Sequence, residues 1–189
     1  MNILGIIASS ISGNLDAGDF ESIATVSVGS GGAASAEFTS IPATYSHLQL
    51  RVLSRSSRSD GGDYLKTQFN SDTGSNYSWH RLTGDGSTVE AAAGASASQI
   101  ILQRMASDYL SASIFSLHII DILDYANTNK YKTVRCLAGV DNNSTDGRVD
   151  FSSGNWRNTN AITSIQLGMS TATNFKQYSQ FALYGIRSA

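Results

Sequence analysis

The sequence predicts an all-β protein, an antiparallel two-sheet sandwich of jelly-roll-like organisation preceded by an extended N-terminal segment. Three observations carry that reading. Past residue 20 the apolar residues recur with a period of two rather than 3.6. The alternating runs are about five to eight residues long and are separated by Gly, Asn and Asp turns, as in sandwiches and barrels. No long amphipathic helix is written anywhere, and the sole proline, Pro42, falls between two runs, where a missing donor does least harm. With 189 residues the chain can bury a sizeable core. The organisation expected is a docking segment and linker over 1–19, then one β-sandwich domain over 20–189.

Each run is justified in order. "SIATVSV" sets Ala24, Val26 and Val28 against Ile23, Thr25 and Ser27, and the turn "GSGGA" leads into a short strand "SAEF". "HLQLRVLSR" places Leu48, Leu50 and Val52 on one face and Gln49 and Arg51 on the other. "DYLKTQF" separates Leu65, Thr67 and Phe69 from Tyr64, Lys66 and Gln68, and "NYSWHRL" separates Tyr77 and Trp79 from Ser78 and His80. In "EAAAGASASQIILQRM", Gly94 and the serines argue against a helix. Its first half reads as a mobile loop, and Ile100 to Met105 as a strand. "SIFSLHIIDIL" is expected to turn Phe115, Leu117 and Ile119 inward, with His118 on the opposite face. "TVRCLAGV" aligns Cys136 with Val134 and Ala138, and "AITSIQLGM" and "YSQFALYGI" complete the set.

Charge and motifs exclude more than they assign. The net charge is -2 and only 15% of residues are charged, so the basic field that nucleic acid or an anionic membrane demands is missing. Arg51, Arg55 and Arg58 form the only basic concentration. The single cysteine, Cys136, permits no intrachain disulfide and reads as a buried structural thiol. His47, His80 and His118 lack partners at zinc-ligand spacing. "DNNSTDG" at 141–147 resembles a calcium loop, but an EF-hand needs Gly and Glu where Asp146 and Ser152 stand, so an Asx-stabilised turn is the expectation. No serine occupies a nucleophile elbow, and Asp121 and Asp124 sit together only at a strand end. The sequence therefore predicts no enzyme, no cofactor and no metal.

Two features point toward binding. The opening "MNILGIIASSISG" gathers Ile3, Leu4, Ile6 and Ile7 with no charge beside them. It lacks the basic region of a secretory signal and is far shorter than the about 20 apolar residues of a membrane span. It reads either as an edge strand or as a docking peptide for another protein. "SNYSWHR" and "SGNWRN" each combine an aromatic, an amide and an arginine, the chemistry that stacks on sugar rings. For Tyr77 and Trp79 the core reading is favoured. Trp156, with Asn155, Arg157 and the 141–158 loops, is the preferred candidate glycan or receptor surface, and Trp79 is the weaker candidate.

The strings "LGIIASSISG", "FESIATVSVGSGGAASAEFTSIPATYSHLQLR", "NSDTGSNYSWHRL", "IIDILDYANTNKYKTVRCLAG" and "QYSQFALYGIR" resemble a family of small virion-associated proteins of tailed bacteriophages. The resemblance spans nearly the whole chain, and its motifs are structural rather than catalytic. It implies a virion component: a tail fibre, spike or baseplate-associated protein, or a capsid decoration protein. It further implies homotrimeric assembly and other virion proteins as partners. A carbohydrate-binding module that contacts a host surface glycan is the second reading.

Overall fold

The structure is a computed structural model and describes residues 20–143 and 147–187. The apolar run at residues 3–7 lies outside the described residues. Twelve strands and no helix make up the described chain. They are β1 (Phe20–Ser27), β2 (Ser35–Phe38), β3 (His47–Ser56), β4 (Asp63–Phe69), β5 (Tyr77–Gly84), β6 (Val89–Ala97), β7 (Ile100–Ser107), β8 (Ser116–Leu123), β9 (Lys132–Val140), β10 (Arg148–Trp156), β11 (Ile165–Met169) and β12 (Gln180–Ile186).

The all-β expectation holds. Eight strands pair antiparallel in the order β1-β12-β3-β8-β9-β10-β5-β6, and four more in the order β2-β11-β4-β7. One junction joins the two runs: Arg55 and Ser56, at the end of β3, pair in parallel with Ala106 and Ser107 of β7. The result is a twelve-stranded mixed sheet, and the parallel seam is a feature the alternation did not announce.

Period-two burial builds the core as the sequence indicates. Leu48, Leu50 and Val52 of β3 are buried with Leu65 and Phe69 of β4 and with Val134 and Cys136 of β9. At one end the rings of Phe69, Tyr77 and Trp156 meet with centroids 5.7–6.3 Å apart, tying β4 to β5 and β10. Glycine permits one close approach: a Cβ at Gly154 of β10 would come within 2.5 Å of the Ile100 side chain of β7. Burial of the Cys136 thiol pushes its pKa up, as expected of an inert structural cysteine.

Two expectations are corrected. The segment "VEAAAGASA" is no loop but β6, paired along β5. Asp85 closes that hairpin by accepting hydrogen bonds from the backbone N–H groups of Ser87 (2.9 Å) and Thr88 (2.7 Å). Gly94 belongs there because any Cβ would fall 2.6 Å from the Trp79 ring. In β8 the facing is reversed: Ser116, His118, Ile120 and Ile122 are buried, whereas Leu117 and Ile119 point outward. Both faces of this strand are apolar, so alternation could not choose between them. The polar residues decide it, because the seam needs them. Ser116 Oγ accepts from the Ala106 N–H and donates to the Ser54 carbonyl, and His118 Nε2–H donates to the Arg104 carbonyl (3.2 Å).

The basic group disperses. Arg51 lies over Phe20 and Tyr184 at 5.2 and 5.3 Å, and Arg58 pairs with Asp60. Arg55 is buried. Its guanidinium donates to Asp108 Oδ1 and to the carbonyls of Leu110, Ser111 and Ile114, so one side chain ties down the β7–β8 connection. Arg55→Leu is expected to cost about 3–5 kcal/mol in urea unfolding, because it strands three carbonyls and leaves Asp108 with Lys176 alone. Arg55→Lys should fail to rescue it, since an ammonium lacks the planar fork. A loss below about 1 kcal/mol for either variant would refute that role.

Complete burial pushes His118 down to about 4. A base whose folded pKa is depressed stabilises the fold above the unfolded value near 6.5 and loses that contribution as pH falls toward 4. Asp150 works in the opposite sense: burial raises its carboxyl pKa, so its penalty lessens as pH falls. Wild-type protein should therefore lose more unfolding free energy between pH 7 and pH 4 than His118→Gln, by up to roughly 3 kcal/mol. Parallel pH profiles for the two proteins would contradict the assignment.

Candidate docking face

The outward residues of the long antiparallel run form the most unusual surface among the described residues. Register places two rows side by side across six strands. One row reads Leu53, Leu117, Gly139, Val149, Gly84 and Val89 from β3 to β6. The next reads Arg51, Ile119, Leu137, Phe151, Leu82 and Ala91. Leu117, Leu137, Phe151 and Leu82 are each about half exposed, and Val149 more so. At roughly 60–120 Å² per side chain they present several hundred Å² of contiguous apolar surface, more than soluble monomers ordinarily leave open.

β10 shows why this is not incidental. Its first half is built inside out: Asp150 and Ser152 are buried while Val149 and Phe151 are exposed. Neither Asp150 oxygen has a hydrogen-bond partner within geometric limits. The Thr83 hydroxyl and the charges of Arg148, Arg104 and Arg81 only partly offset its desolvation. A single-residue slip would exchange these faces. The observed register forgoes that gain and keeps Phe151 outside.

The face is sculpted as well as apolar. A hollow of about 680 Å³ opens where Gly139 and Gly84 supply no side chain, bounded by Phe115, Leu117, Ile119 and Val149. A second, of about 530 Å³, lies beside it between Phe151, Leu82 and Ala91 to Ala93. A third row gives the face a polar border, where Asp121 accepts from Gln49 Nε2 (2.9 Å) and Arg135 Nη2 (2.7 Å). No titratable group stands within the apolar rows except Arg51, at one edge. Asp85, Asp141 and Arg148 stand at the rim of the first hollow, and His80 and Arg81 beside the second.

None of the described residues singled out from the sequence as site candidates lies in the two apolar rows. Ile3, Leu4, Ile6 and Ile7 lie outside the described residues. Trp156 is corrected: it is 1% exposed, ends β10 rather than riding on a loop, stacks on Tyr77 and donates Nε1–H to Asp72 Oδ2 at 2.8 Å. That bond is the main cause of the lowered Asp72 pKa. No sugar ring can stack on a Trp so enclosed. Asn155 points away from it and donates to the Lys132 carbonyl, while the exposed Arg157 reaches the Ser75 carbonyl at 2.7 Å. The four residues Trp79, Asn155, Trp156 and Arg157 therefore form no common recognition surface. Trp79 packs against the core, and His80 is exposed on the opposite face, as alternation indicated.

Asp121 and Asp124 do not form an acid pair either. Asp121 is bridged to Arg135, and Asp124 faces Lys130 and His47. At 141–143 an Asx turn is present, with Asp141 Oδ1 accepting from the Asn143 N–H. Comparison with family models, with curated proteins and with solved structures gave no match to this chain.

Replacing Leu137 and Phe151 together by Gln should leave the unfolding free energy within about 1 kcal/mol, because both are surface positions. Binding of an apolar fluorescent dye to protein lacking residues 1–13 should drop. A loss of about 3 kcal/mol or more would mean that these residues belong to the core.

Proposed function

We propose that this chain is a structural protein of a bacteriophage virion, a tail-fibre, spike-associated or capsid-decoration component. In this reading residues 3, 4, 6 and 7 anchor it to another virion protein, and a β-sandwich is displayed from the particle. The observation that carries the proposal is the two-row apolar face. A domain that keeps Phe151 and Leu137 outside at the expense of burying Asp150 is suited to being assembled against other proteins. The low charge supports it, and so does the likeness of the sequence to small virion-associated proteins.

Packing of β4 and β7 side chains against β5 and β10 supports the two-layer, jelly-roll-like arrangement. Assembly as a homotrimer fits a face that no element of its own described chain covers. The enclosure of Trp156 removes the main support for a glycan-binding module.

Purified particles provide the test. The protein should co-purify with virions, and deletion of residues 1–13 should abolish its incorporation while leaving the melting of the soluble protein nearly unchanged. Absence from intact particles would reject the assignment. Native mass spectrometry of protein released from particles should show trimers, and a monomer throughout the micromolar range would reject intrinsic trimerisation.

A further inference from the structure

The outer face has no cover among the described residues, and outside them the sequence offers one apolar run, Ile3, Leu4, Ile6 and Ile7. We propose that in the free subunit they cover each other: residues 3–7 lie across the outer face of the same subunit's sheet, occupying its two hollows. This goes beyond the virion assignment and does not depend on it.

Reach comes first. The described chain starts at Phe20, whose row runs through Ile186 and His47 to Leu123. From β1 to β9 is four strand spacings, about 19 Å, and the Ile119–Leu137 row lies four residues further along, about 13 Å. The separation is therefore about 23 Å. Residues 8–19 can span up to about 40 Å when extended, so the segment arrives with slack.

Shape and charge then agree. The first hollow is centred near β9 and the second near β5, with Val149 lining the first and Phe151 the second; two strand spacings across and three residues along put their centres about 13 Å apart. Laid out as a strand, the segment turns Ile3, Gly5 and Ile7 to one side, and Ile3 and Ile7, four residues apart, are again separated by about 13 Å. Gly5, between them on that side, brings no side chain to the ridge between the hollows. No charged side chain occurs before Asp16, matching a surface whose charges stand at its border. The short tether favours the subunit's own face over a neighbour's, because it holds the segment at millimolar effective concentration. An assembling partner would then have to displace the segment, which would free both apolar surfaces together.

Cross-linking in the full-length chain tests this. Cysteine pairs Ile3→Cys/Phe151→Cys and Ile7→Cys/Phe151→Cys are oxidised mildly and the disulfides mapped by mass spectrometry. The native Cys136 is buried and does not compete. At least one pair should form an intrachain disulfide, at a rate unchanged by dilution. That rate should exceed by about tenfold or more that of the same N-terminal cysteine with Glu37→Cys, an exposed position on β2 away from the face. Rates equal to the Glu37→Cys control would overturn the proposal. So would interchain disulfides between two copies of residue 151, which would assign the face to a second subunit, or interchain disulfides from the N-terminal segment. Gly139→Leu supplies a second arm: a Cβ there meets only the Arg148 carbonyl at 3.6 Å, so the first hollow fills without strain. It should slow the intrachain disulfide several-fold while circular dichroism stays unchanged. An unaltered rate would count against occupancy of that hollow. Particle incorporation is read separately, so failure of either proposal leaves the other standing on its own measurement.

Discussion

One buried guanidinium holds the two antiparallel runs in their relation. β3 is antiparallel to both neighbours as far as Ser54, and then Arg55 and Ser56 turn it over to β7 as a parallel partner. Such a hand-over exposes backbone groups that neither ladder can satisfy. Arg55 takes up three carbonyls of the following connection through its side chain, while its own carbonyl accepts from the Lys176 N–H at 2.8 Å. Asp108 serves both Arg55 and Lys176, so the C-terminal approach to β12 is fixed by the same group. Replace the guanidinium with an apolar side chain and those three carbonyls lose their donor.

The seam also explains the polar side chains buried at its end of the core, where they lie alongside the Phe175–Phe181 ring pair. His118, Ser116, Ser54 and Gln103 cluster in sequence terms around the strands that meet there, and all are buried. Phe69, Tyr77 and Trp156 fill the opposite end, with the Tyr77 hydroxyl donating to the Asp72 carbonyl and accepting from the Phe69 N–H. Lys132, also fully buried, gives its ammonium protons to the carbonyls of Asn127, Lys130 and Thr159, which closes the loops at that end. Polar side chains thus brace the connections, and apolar ones fill the core. The outer face follows from this division. Once Asp150 and Ser152 are committed inward on β10, Val149 and Phe151 have nowhere to go but out.

Much of this was legible beforehand, for identifiable reasons. Where a strand is apolar on one side only, as in β3, β4 and the start of β5, alternation alone located the core face. It failed on β8, because Leu117 and Ile119 are as apolar as Ile120 and Ile122, and the deciding contact is between Ser116 and Ser54, 62 residues away in the chain. It failed on β6 because small residues give no alternation; the turn chemistry of Asp85 and the smallness of Gly94 under Trp79 were the readable signs. The docking face could have been suspected from adjacent strands apolar on both sides. Trp156 was misplaced because an aromatic beside an arginine and an amide looks alike at a strand end and on a binding loop. Only the Asp72 partner, far away in sequence, tells them apart.

The pairing of β1 with β12 reaches beyond the static fold. Phe20 stands opposite Ile186, and β12 in turn separates β1 from β3, so the first described strand finds its only ladder in the last. On a ribosome adding about 5–20 residues per second, β1 must wait for nearly the whole chain to be made. A nascent chain released before β12 emerges would leave both β1 and one edge of β3 unpaired, open to pairing with any other strand. The fold therefore acts as its own check on synthesis. Only a chain translated through β12 can close the sheet.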